Sequence, residues 1–319
     1  MMKIKSHSRF SIFEAPSGDR PFNAMSLLIL GVVVLALQDS LIKYIAPQTS
    51  FWQMQTIRAF GNLSLIVCLA KFAGGLTLVI PENWRPVYLR AIMQVMCMFF
   101  FFSGAPFLSL AQMAAGLYTY PLFVSLLAGP LLGEKIGVWR ISALVIGAAG
   151  ALLILNPFAA EFSFIQVLPV VAGFFYACNL IILRRACRTE NPLALTFAVA
   201  VIFIVCGLLG ISILSFFKPA DEIIIAMPFV AIGWPELTVV AVAIPLLCSI
   251  LNLTGNICLA RAYQTADSSW LAPLDFSYLL FAAIWGRLLF DNWPTSQALM
   301  GMALIAIGGM VTAWREGRK

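Results

Sequence analysis

Residues 120–157 read YPLFVSLLAGPLLGEKIGVWRISALVIGAAGALLILNP, in which two apolar runs flank a short polar segment with Glu134 and Lys135. The first run begins upstream, near residue 110, and the second carries several glycines. Each run is long enough to cross the hydrocarbon core of a membrane as a helix. The stretch therefore predicts a pair of membrane-spanning helices joined by an acid-bearing loop.

The rest of the chain has the same character. Its 319 residues are 61% hydrophobic and 11% charged, whereas soluble proteins carry about 25% charged residues. Apolar runs separated by charges or turn residues predict an all-α polytopic membrane protein with ten transmembrane helices. We expect these helices near residues 24–46, 50–73, 87–107, 110–132, 138–156, 163–184, 194–217, 236–259, 267–290 and 296–314.

The basic residues predict the orientation. With ten helices both termini lie on one side, and cytoplasmic termini place 16 of the 20 lysines and arginines, Arg90 among them, in cytoplasmic loops and tails. An excess of these residues is typical of cytoplasmic loops. We expect a multi-pass protein of the bacterial inner membrane with cytoplasmic N- and C-termini. The basic residues on or towards the outside are Lys43, Arg58, Lys218 and Arg287.

A weak internal repeat divides the chain. Residues 276–314 resemble the opening stretch when Asp291 is aligned with Glu134, and one extra residue then aligns Gly308 with Gly150. Because each half holds five helices, the copies are predicted to be oppositely oriented, and inverted repeats are typical of secondary transporters. The expected organisation is a cytoplasmic N-terminal tail at 1–22, a first repeat at 23–158 and a second repeat at 159–316.

These motifs resemble the EamA-type members of the drug/metabolite transporter superfamily. The resemblance is carried by residues 120–157 and by residues 262–309, where Asp291 stands at a position usually occupied by glutamate. It covers residues 24–314 and implies ten helices around a central cavity that opens alternately to each side. Residues 39–58, DSLIKYIAPQTSFWQMQTIR, are similar to a subgroup that includes bacterial uptake carriers for S-adenosylmethionine and for riboflavin.

Two charged residues fall inside the first predicted helix. Asp39 follows a long apolar run and lies about 22 Å along the helix, beyond the membrane midplane. A lone carboxylate there costs on the order of 3 kcal/mol. Lys43 lies one turn further on the same face. The two could form a local ion pair with the lysine reaching outward, or could line the cavity and contact a polar substrate or a proton. In the second case Asp39 is the candidate proton carrier.

Arg58 lies well inside the second predicted helix. It could pair with Asp39, bind an anionic group such as a carboxylate or phosphate, or lie at the membrane interface. The repeat overlays Arg58 on Val199, so the scaffold does not need this charge in both copies.

Asp275 lies in the ninth predicted helix. It could face the cavity or pair with Arg261 or Arg287 near the helix ends. Tyr118 aligns with Asp275 in the repeat, which makes it a candidate cavity residue. The predicted substrate-binding residues are therefore Asp39, Lys43, Arg58, Tyr118, Tyr120 and Asp275.

The sequence argues against enzymatic chemistry. His7 is the single histidine, which excludes a histidine-based metal site and a Ser–His–Asp triad. No Walker sequence for ATP binding occurs. We expect no metal, no cofactor and no nucleic-acid partner. The expected partners are a small-molecule metabolite and the lipid bilayer, and a homodimer is left open.

The predicted function is that of a secondary active transporter. Its expected substrate is a small polar or amphipathic metabolite, like S-adenosylmethionine, riboflavin or an amino acid, which crosses the inner membrane by alternating access. Two alternatives stay open. One is an exporter of amino acids or drugs with the same fold, and the other is a non-transporting membrane scaffold subunit.

Overall fold

The computed structural model describes residues 21–132, 138–156, 163–265, 271 and 274–316. All regular secondary structure in these ranges is helical, without a strand. Seven helical segments there are long and apolar enough to cross a membrane. Three shorter apolar helices accompany them, at Ile141–Leu155, Ser277–Phe290 and Ser296–Val311. The prediction of an all-α polytopic membrane protein is confirmed at this level.

The helices are numbered in chain order. They are α1 (Pro21–Ile45), α2 (Phe51–Ala73), α3 (Trp84–Ser103), α4 (Leu110–Leu117), α5 (Tyr120–Leu132), α6 (Val138–Leu155), α7 (Leu168–Ala186), α8 (Pro192–Phe216), α9 (Asp221–Ala226), α10 (Pro228–Ala231), α11 (Val239–Thr265), α12 (Ser277–Phe290) and α13 (Ser296–Glu316). Residues 1–20 of the predicted tail, and the loop residues Glu134 and Lys135, lie outside the described residues.

Polar side chains at the junctions set where several helices begin. Ser50 accepts a hydrogen bond from a backbone N–H in the first turn of α2, and Asn191 does the same for α8. Ser109 and Gln112 form a reciprocal capping box at the start of α4. These contacts satisfy backbone donors that the helix itself leaves unpaired. They explain why the predicted starts of these helices lie close to the observed ones.

The fourth predicted helix, 110–132, is two helices. α4 ends at Leu117 and α5 begins at Tyr120, with Tyr118 forming the C-cap of α4. Pro121 lacks the N–H that would bond to the carbonyl of Leu117, and its ring crowds that carbonyl. This proline explains why the helix is not continuous.

The ninth predicted helix, 267–290, is interrupted in a similar way in its described part. Leu274 and Asp275 are helical, Phe276 forms a turn, and α12 begins at Ser277. Pro273, which the sequence analysis associates with such an interruption, lies outside the described residues. The two breaks occur at positions that the internal repeat aligns.

The helices pack mainly in pairs. α1 lies against α11, α2 against α8, α3 against α7, and α6 against α13. One cluster of buried apolar side chains joins α1, α4, α12 and α13, and includes Leu28 and Leu279. A second cluster joins α2, α3 and their neighbours, and includes Phe51 and Phe101. Polar residues between these two apolar regions form the site described below.

Glycines allow α6 and α13 to approach closely. A Cβ atom on Gly150 would lie 2.6 Å from the carbonyl oxygen of Gly301, and one on Gly308 would lie 2.8 Å from the carbonyl oxygen of Ala143. Both distances are well below van der Waals contact, so the contact needs residues without side chains. Small residues are typical of such interfaces between membrane helices.

Gly150→Val is expected to destabilise the protein by roughly 1–3 kcal/mol, because the added side chain forces α6 away from α13. The measurement is the midpoint of thermal unfolding in detergent micelles. Val145→Leu adds a methylene at an exposed position of α6 and is the control, expected to leave the midpoint unchanged. Equal midpoints for Gly150→Val and the parent protein would contradict the packing described here.

Candidate functional site

A cavity of about 430 Å³ lies among the helices. This volume is in the range of small-molecule binding sites, roughly 300–1,000 Å³. The cavity is bordered by α1, α2, α3, α7, α8 and α11 and by residues at the two helix breaks. Its polar lining residues are Gln38, Asp39, Arg58, Asn62, Arg90, Gln94, Tyr118, Tyr120, Tyr176, Asn179, Thr196, Asn252, Asn256, Asp275 and Tyr278. Such a cavity can hold a small polar molecule inside an otherwise apolar bundle.

Asp39 is held by hydrogen bonds. Its carboxylate accepts one from the hydroxyl of Tyr278 on α12 and another from Nε2 of Gln38 at 2.8 Å. Among the described residues, none of the ion pairs includes Asp39, so it is paired with neither Lys43 nor Arg58. The bond to Tyr278 ties α1 to α12 beside the cavity.

Lys43 lies apart from the other predicted site residues. Its Nζ donates hydrogen bonds to the carbonyl oxygens of Ala105 at 2.5 Å and Leu108 at 2.7 Å, and lies 5.3 Å from the centre of the Phe290 ring. It does not border the cavity with Asp39. Both carbonyls belong to the connection between α3 and α4, outside either helix, and they attract the ammonium group. The described residues thus show no Asp39–Lys43 ion pair, and of the two residues only Asp39 borders the cavity, as one of the predicted arrangements places it.

Arg58 borders the cavity from α2 and is 4% exposed. Its guanidinium carbon lies 5.6 Å from the centre of the Phe203 ring, a distance at which the ring face attracts a cation. Asp39 is near enough for the two charges to attract each other. Since no acid forms an ion pair with Arg58 in the described part of the chain, the guanidinium can bind an anionic or polar group in the cavity.

The two helix breaks meet through Tyr118, Tyr120 and Asp275. The hydroxyl of Tyr118 donates to the backbone carbonyl of Asp275 at 3.0 Å, and that of Tyr120 lies 3.5 Å from Oδ2 of Asp275. The ring of Tyr118 also stacks on Tyr278, with ring centres 5.2 Å apart. The aligned residues Tyr118 and Asp275 are therefore in direct contact at the cavity wall.

Arg287, one of the alternative partners considered for Asp275, forms an ion pair with a different acidic residue. It pairs with Asp291 at 2.5 Å, four residues further along the chain, and both side chains are exposed. Asp275 faces the tyrosines instead.

Arg90, Tyr176 and Tyr278 are among the lining residues that were not predicted from the sequence. The charge count assigns Arg90 to a cytoplasmic loop, but it lies about 9 Å into α3 at 1.5 Å per residue. Tyr176, on α7, has its ring centre 4.9 Å from that of Tyr120. Measuring each arginine's depth in its helix would have identified Arg90, whereas the two tyrosines carry no distinguishing sequence signal.

Hydrogen bonds close the bundle at the end where α1 stops and α2 begins. They join the start of α2 to the chain before α11. The pairs are Ser50 Oγ to Gly233 O at 2.7 Å, Trp52 Nε1 to Val230 O at 2.8 Å and Gln53 Nε2 to Pro235 O at 2.8 Å. This end of the bundle is sealed by direct contacts between elements distant in sequence.

The cavity extends towards the opposite end. Arg90, Leu183 and Thr196 line it from the beginning of α3, the end of α7 and the beginning of α8. At that end the carboxylate of Glu190 accepts a hydrogen bond from the backbone N–H of Asn83 at 2.7 Å. The polar lining of the cavity therefore continues towards this end, whereas Ser50, Trp52 and Gln53 at the other end do not border the cavity.

Comparison with known proteins finds a family that resembles the first part of the chain. Residues 22–156 match the EamA-like transporter family. A crystal structure of a protein that is 20% identical in sequence superposes with a TM-score of 0.52, covering 92% of this chain and 99% of that one. At this identity the likeness concerns the fold alone.

Three relatives have names that describe transport. A riboflavin transporter of Vibrio cholerae is 27% identical over 64% of this chain and 62% of its own length. The alignment thus spans less than two thirds of that relative. A pseudopaline exporter of Pseudomonas aeruginosa is 21% identical, with coverage of 88% and 92%. An S-adenosylmethionine uptake transporter of Rickettsia bellii is 22% identical, with coverage of 87% and 88%.

Tyr118→Phe is expected to destabilise the protein by about 1–3 kcal/mol, because the carbonyl of Asp275 loses its buried hydrogen-bond donor. Thermal unfolding in detergent micelles measures the effect. Tyr44→Phe, at an exposed tyrosine of α1, is the matched control and should leave the midpoint unchanged. If both variants unfold with the parent protein, the Tyr118 bond does not support the helix break.

Proposed function

We propose that this chain, whose residues 22–156 match the EamA-like transporter family, is a secondary active transporter. It carries a small polar or amphipathic metabolite across the bacterial inner membrane by alternating access. The observation that carries the proposal is the cavity of about 430 Å³ lined by Asp39, Arg58, Arg90 and Asp275. Ionisable groups in a membrane bundle are costly unless they serve a substrate or ion path.

The proposal includes ten membrane-spanning helices arranged as two inverted repeats, residues 23–158 and 159–316. The helix pairing supports it. If α1 corresponds to α7 and α3 to α11, exchanging the two halves converts the α1–α11 contact into the α7–α3 contact, and both contacts are extensive. The repeat also matches α2 with α8 and α6 with α13. Exchanging the halves therefore leaves the α2–α8 contact and the α6–α13 contact unchanged, and both contacts are present.

The glycine contacts between α6 and α13 support the same symmetry. The alignment that matches Gly150 with Gly308 also matches Ala143 with Gly301. Exchanging the halves therefore converts the close approach of Gly150 and Gly301 into that of Gly308 and Ala143. Both approaches are present.

The transport cycle follows from the two ends of the cavity. With cytoplasmic termini, the sealed end faces outward and the cavity extends towards the cytoplasm. Moving one repeat against the other must break the bonds of Ser50, Trp52 and Gln53 to open the outer end. Alternating access of this kind is typical of transporters with inverted repeats.

The cavity lining favours a substrate with both polar and planar parts. Arg58 and Asp39 offer opposite charges, while Tyr118, Tyr120 and Tyr176 offer ring faces and hydroxyl groups. A flavin, a sulfonium amino acid or an aromatic amino acid combines these features. Export is a second candidate, favoured by the relative named as a pseudopaline exporter. A scaffold subunit would not need a polar cavity.

Asp39→Asn is expected to lower uptake at least tenfold and to remove its response to a proton gradient, because the amide cannot carry a proton. The measurement is uptake of labelled S-adenosylmethionine, riboflavin and amino acids into proteoliposomes with and without a pH gradient. Asp221→Asn, at an exposed acid of α9, is the control. A fully active Asp39→Asn variant, or parent uptake insensitive to collapse of the gradient, removes the proton-carrier role.

A cross-link across the sealed end is expected to stop transport. Ser50→Cys and Gly233→Cys, combined in a background without native cysteines, place thiols on the two segments that the hydrogen bond from Ser50 Oγ to Gly233 O joins. A Cβ atom on Gly233 would face Ile211 and Leu214, so a flexible bismaleimide with a cleavable bridge is used to link the two thiols. Cross-linking should reduce uptake at least tenfold, and cleaving the bridge with a reducing agent should restore it. Each single variant is the control. Complete cross-linking with unaffected uptake would show that this end need not open.

A further inference from the structure

Arg90 borders the cavity without a protein partner. Among the residues that the structure describes, none forms an ion pair or a hydrogen bond with its guanidinium group, and its Nε is buried without an acceptor. The arginine side chain remains protonated in proteins, so Arg90 cannot neutralise itself by losing a proton. A buried donor on a permanent cation that faces a cavity calls for an anionic ligand.

Two amides complete the surroundings of Arg90. Gln94 lies one turn further along α3 on the same face and accepts a hydrogen bond from Nδ2 of Asn179 on α7. The Oδ1 atom of Asn179 is buried without a donor. Arg90, Gln94 and Asn179 therefore lie together in the cavity wall, with a buried Nε and a buried Oδ1 that have no hydrogen-bond partner among the described residues.

This cluster lies on other helices than Asp39 and Arg58, in the wall of the same cavity. Asp39 and Arg58 belong to α1 and α2, whereas Arg90 and Asn179 belong to α3 and α7. Asp39 already accepts hydrogen bonds from Tyr278 and Gln38. Arg90 and Asn179 lie towards the end of the bundle where α3 begins and α7 ends.

We propose that Arg90, Gln94 and Asn179 form the subsite that binds the anionic group of the transported metabolite, a carboxylate or a phosphate. The anion pairs with the Arg90 guanidinium, beside the amides of Gln94 and Asn179. This inference rests on the proposed transport function and names the part of the substrate that the cluster recognises.

The test measures binding by the full chain in detergent micelles, using two pairs of probes. Phenylalanine and its methyl ester differ in a carboxylate, and flavin mononucleotide and riboflavin differ in a phosphate. The parent protein should bind the anionic member of at least one pair fivefold or more tightly, and the responding pair identifies the anion. Equal affinity within both pairs, including the absence of binding by all four probes, overturns the proposal.

Arg90→Gln should abolish the preference for the anion, and Arg90→Lys should retain part of it, because lysine keeps the charge without the planar fork. Arg85→Gln, at an exposed arginine of the same helix, should keep the parent preference. An unchanged preference in Arg90→Gln overturns the proposal.

A second variant tests the subsite if Arg90→Gln does not fold. Gln94→Glu places a carboxylate one helical turn from Arg90, where it competes for the guanidinium. It should abolish the preference for the anion while raising the unfolding midpoint of the empty protein. A retained preference overturns the proposal.

The binding measurement and the uptake measurement test the two proposals independently. A protein that prefers the anion but shows no saturable uptake in proteoliposomes loses the transport function and keeps the subsite. A protein that transports either probe pair without an Arg90-dependent preference loses the subsite and keeps the transport function.

Discussion

Hydrocarbon offers no hydrogen-bond partner, so polar groups among these helices must be satisfied by protein or by a water-filled space. Several are satisfied by protein. Tyr278 donates to Asp39, Tyr118 donates to the carbonyl of Asp275 freed by the helix break, and Lys43 donates to carbonyls after α3. Arg58 and Arg90 face the cavity instead. The site thus consists of the polar groups that the fold leaves available.

The sequence predicts most of the helical segments because apolar runs and junction residues carry that information directly. The sequence also predicts Asp39, Arg58, Tyr118, Tyr120 and Asp275 as site residues. A charge inside an apolar run and an internal repeat can both be recognised in the sequence alone. The structure brings these five residues around one cavity. The position of Lys43 could not be predicted, because the carbonyls that hold it belong to Ala105 and Leu108, more than sixty residues away. Arg90 was missed because a charge count treats residues near a helix end as loop residues.

The two halves share their architecture more closely than their chemistry. Helix breaks occur at Tyr118 and next to Asp275, which the repeat aligns. Yet Tyr118 supplies a hydroxyl that donates to the backbone carbonyl of Asp275, whereas Asp275 supplies a carboxylate. Similarly, Arg58 overlays Val199. In the proposed inverted repeat, the similar scaffolds would allow rocking between two states, while the unlike side chains would favour one orientation of a bound ligand.

The balance of charges in the cavity has an electrical consequence. Two arginines and two aspartates line it, so with both carboxylates ionised the empty cavity carries no net charge through the membrane field. Each elementary charge moved across the field is worth about 2.3 kcal/mol per 100 mV. The return of the empty carrier would then be insensitive to voltage. The current that accompanies transport would report the summed charge of the metabolite and any bound proton.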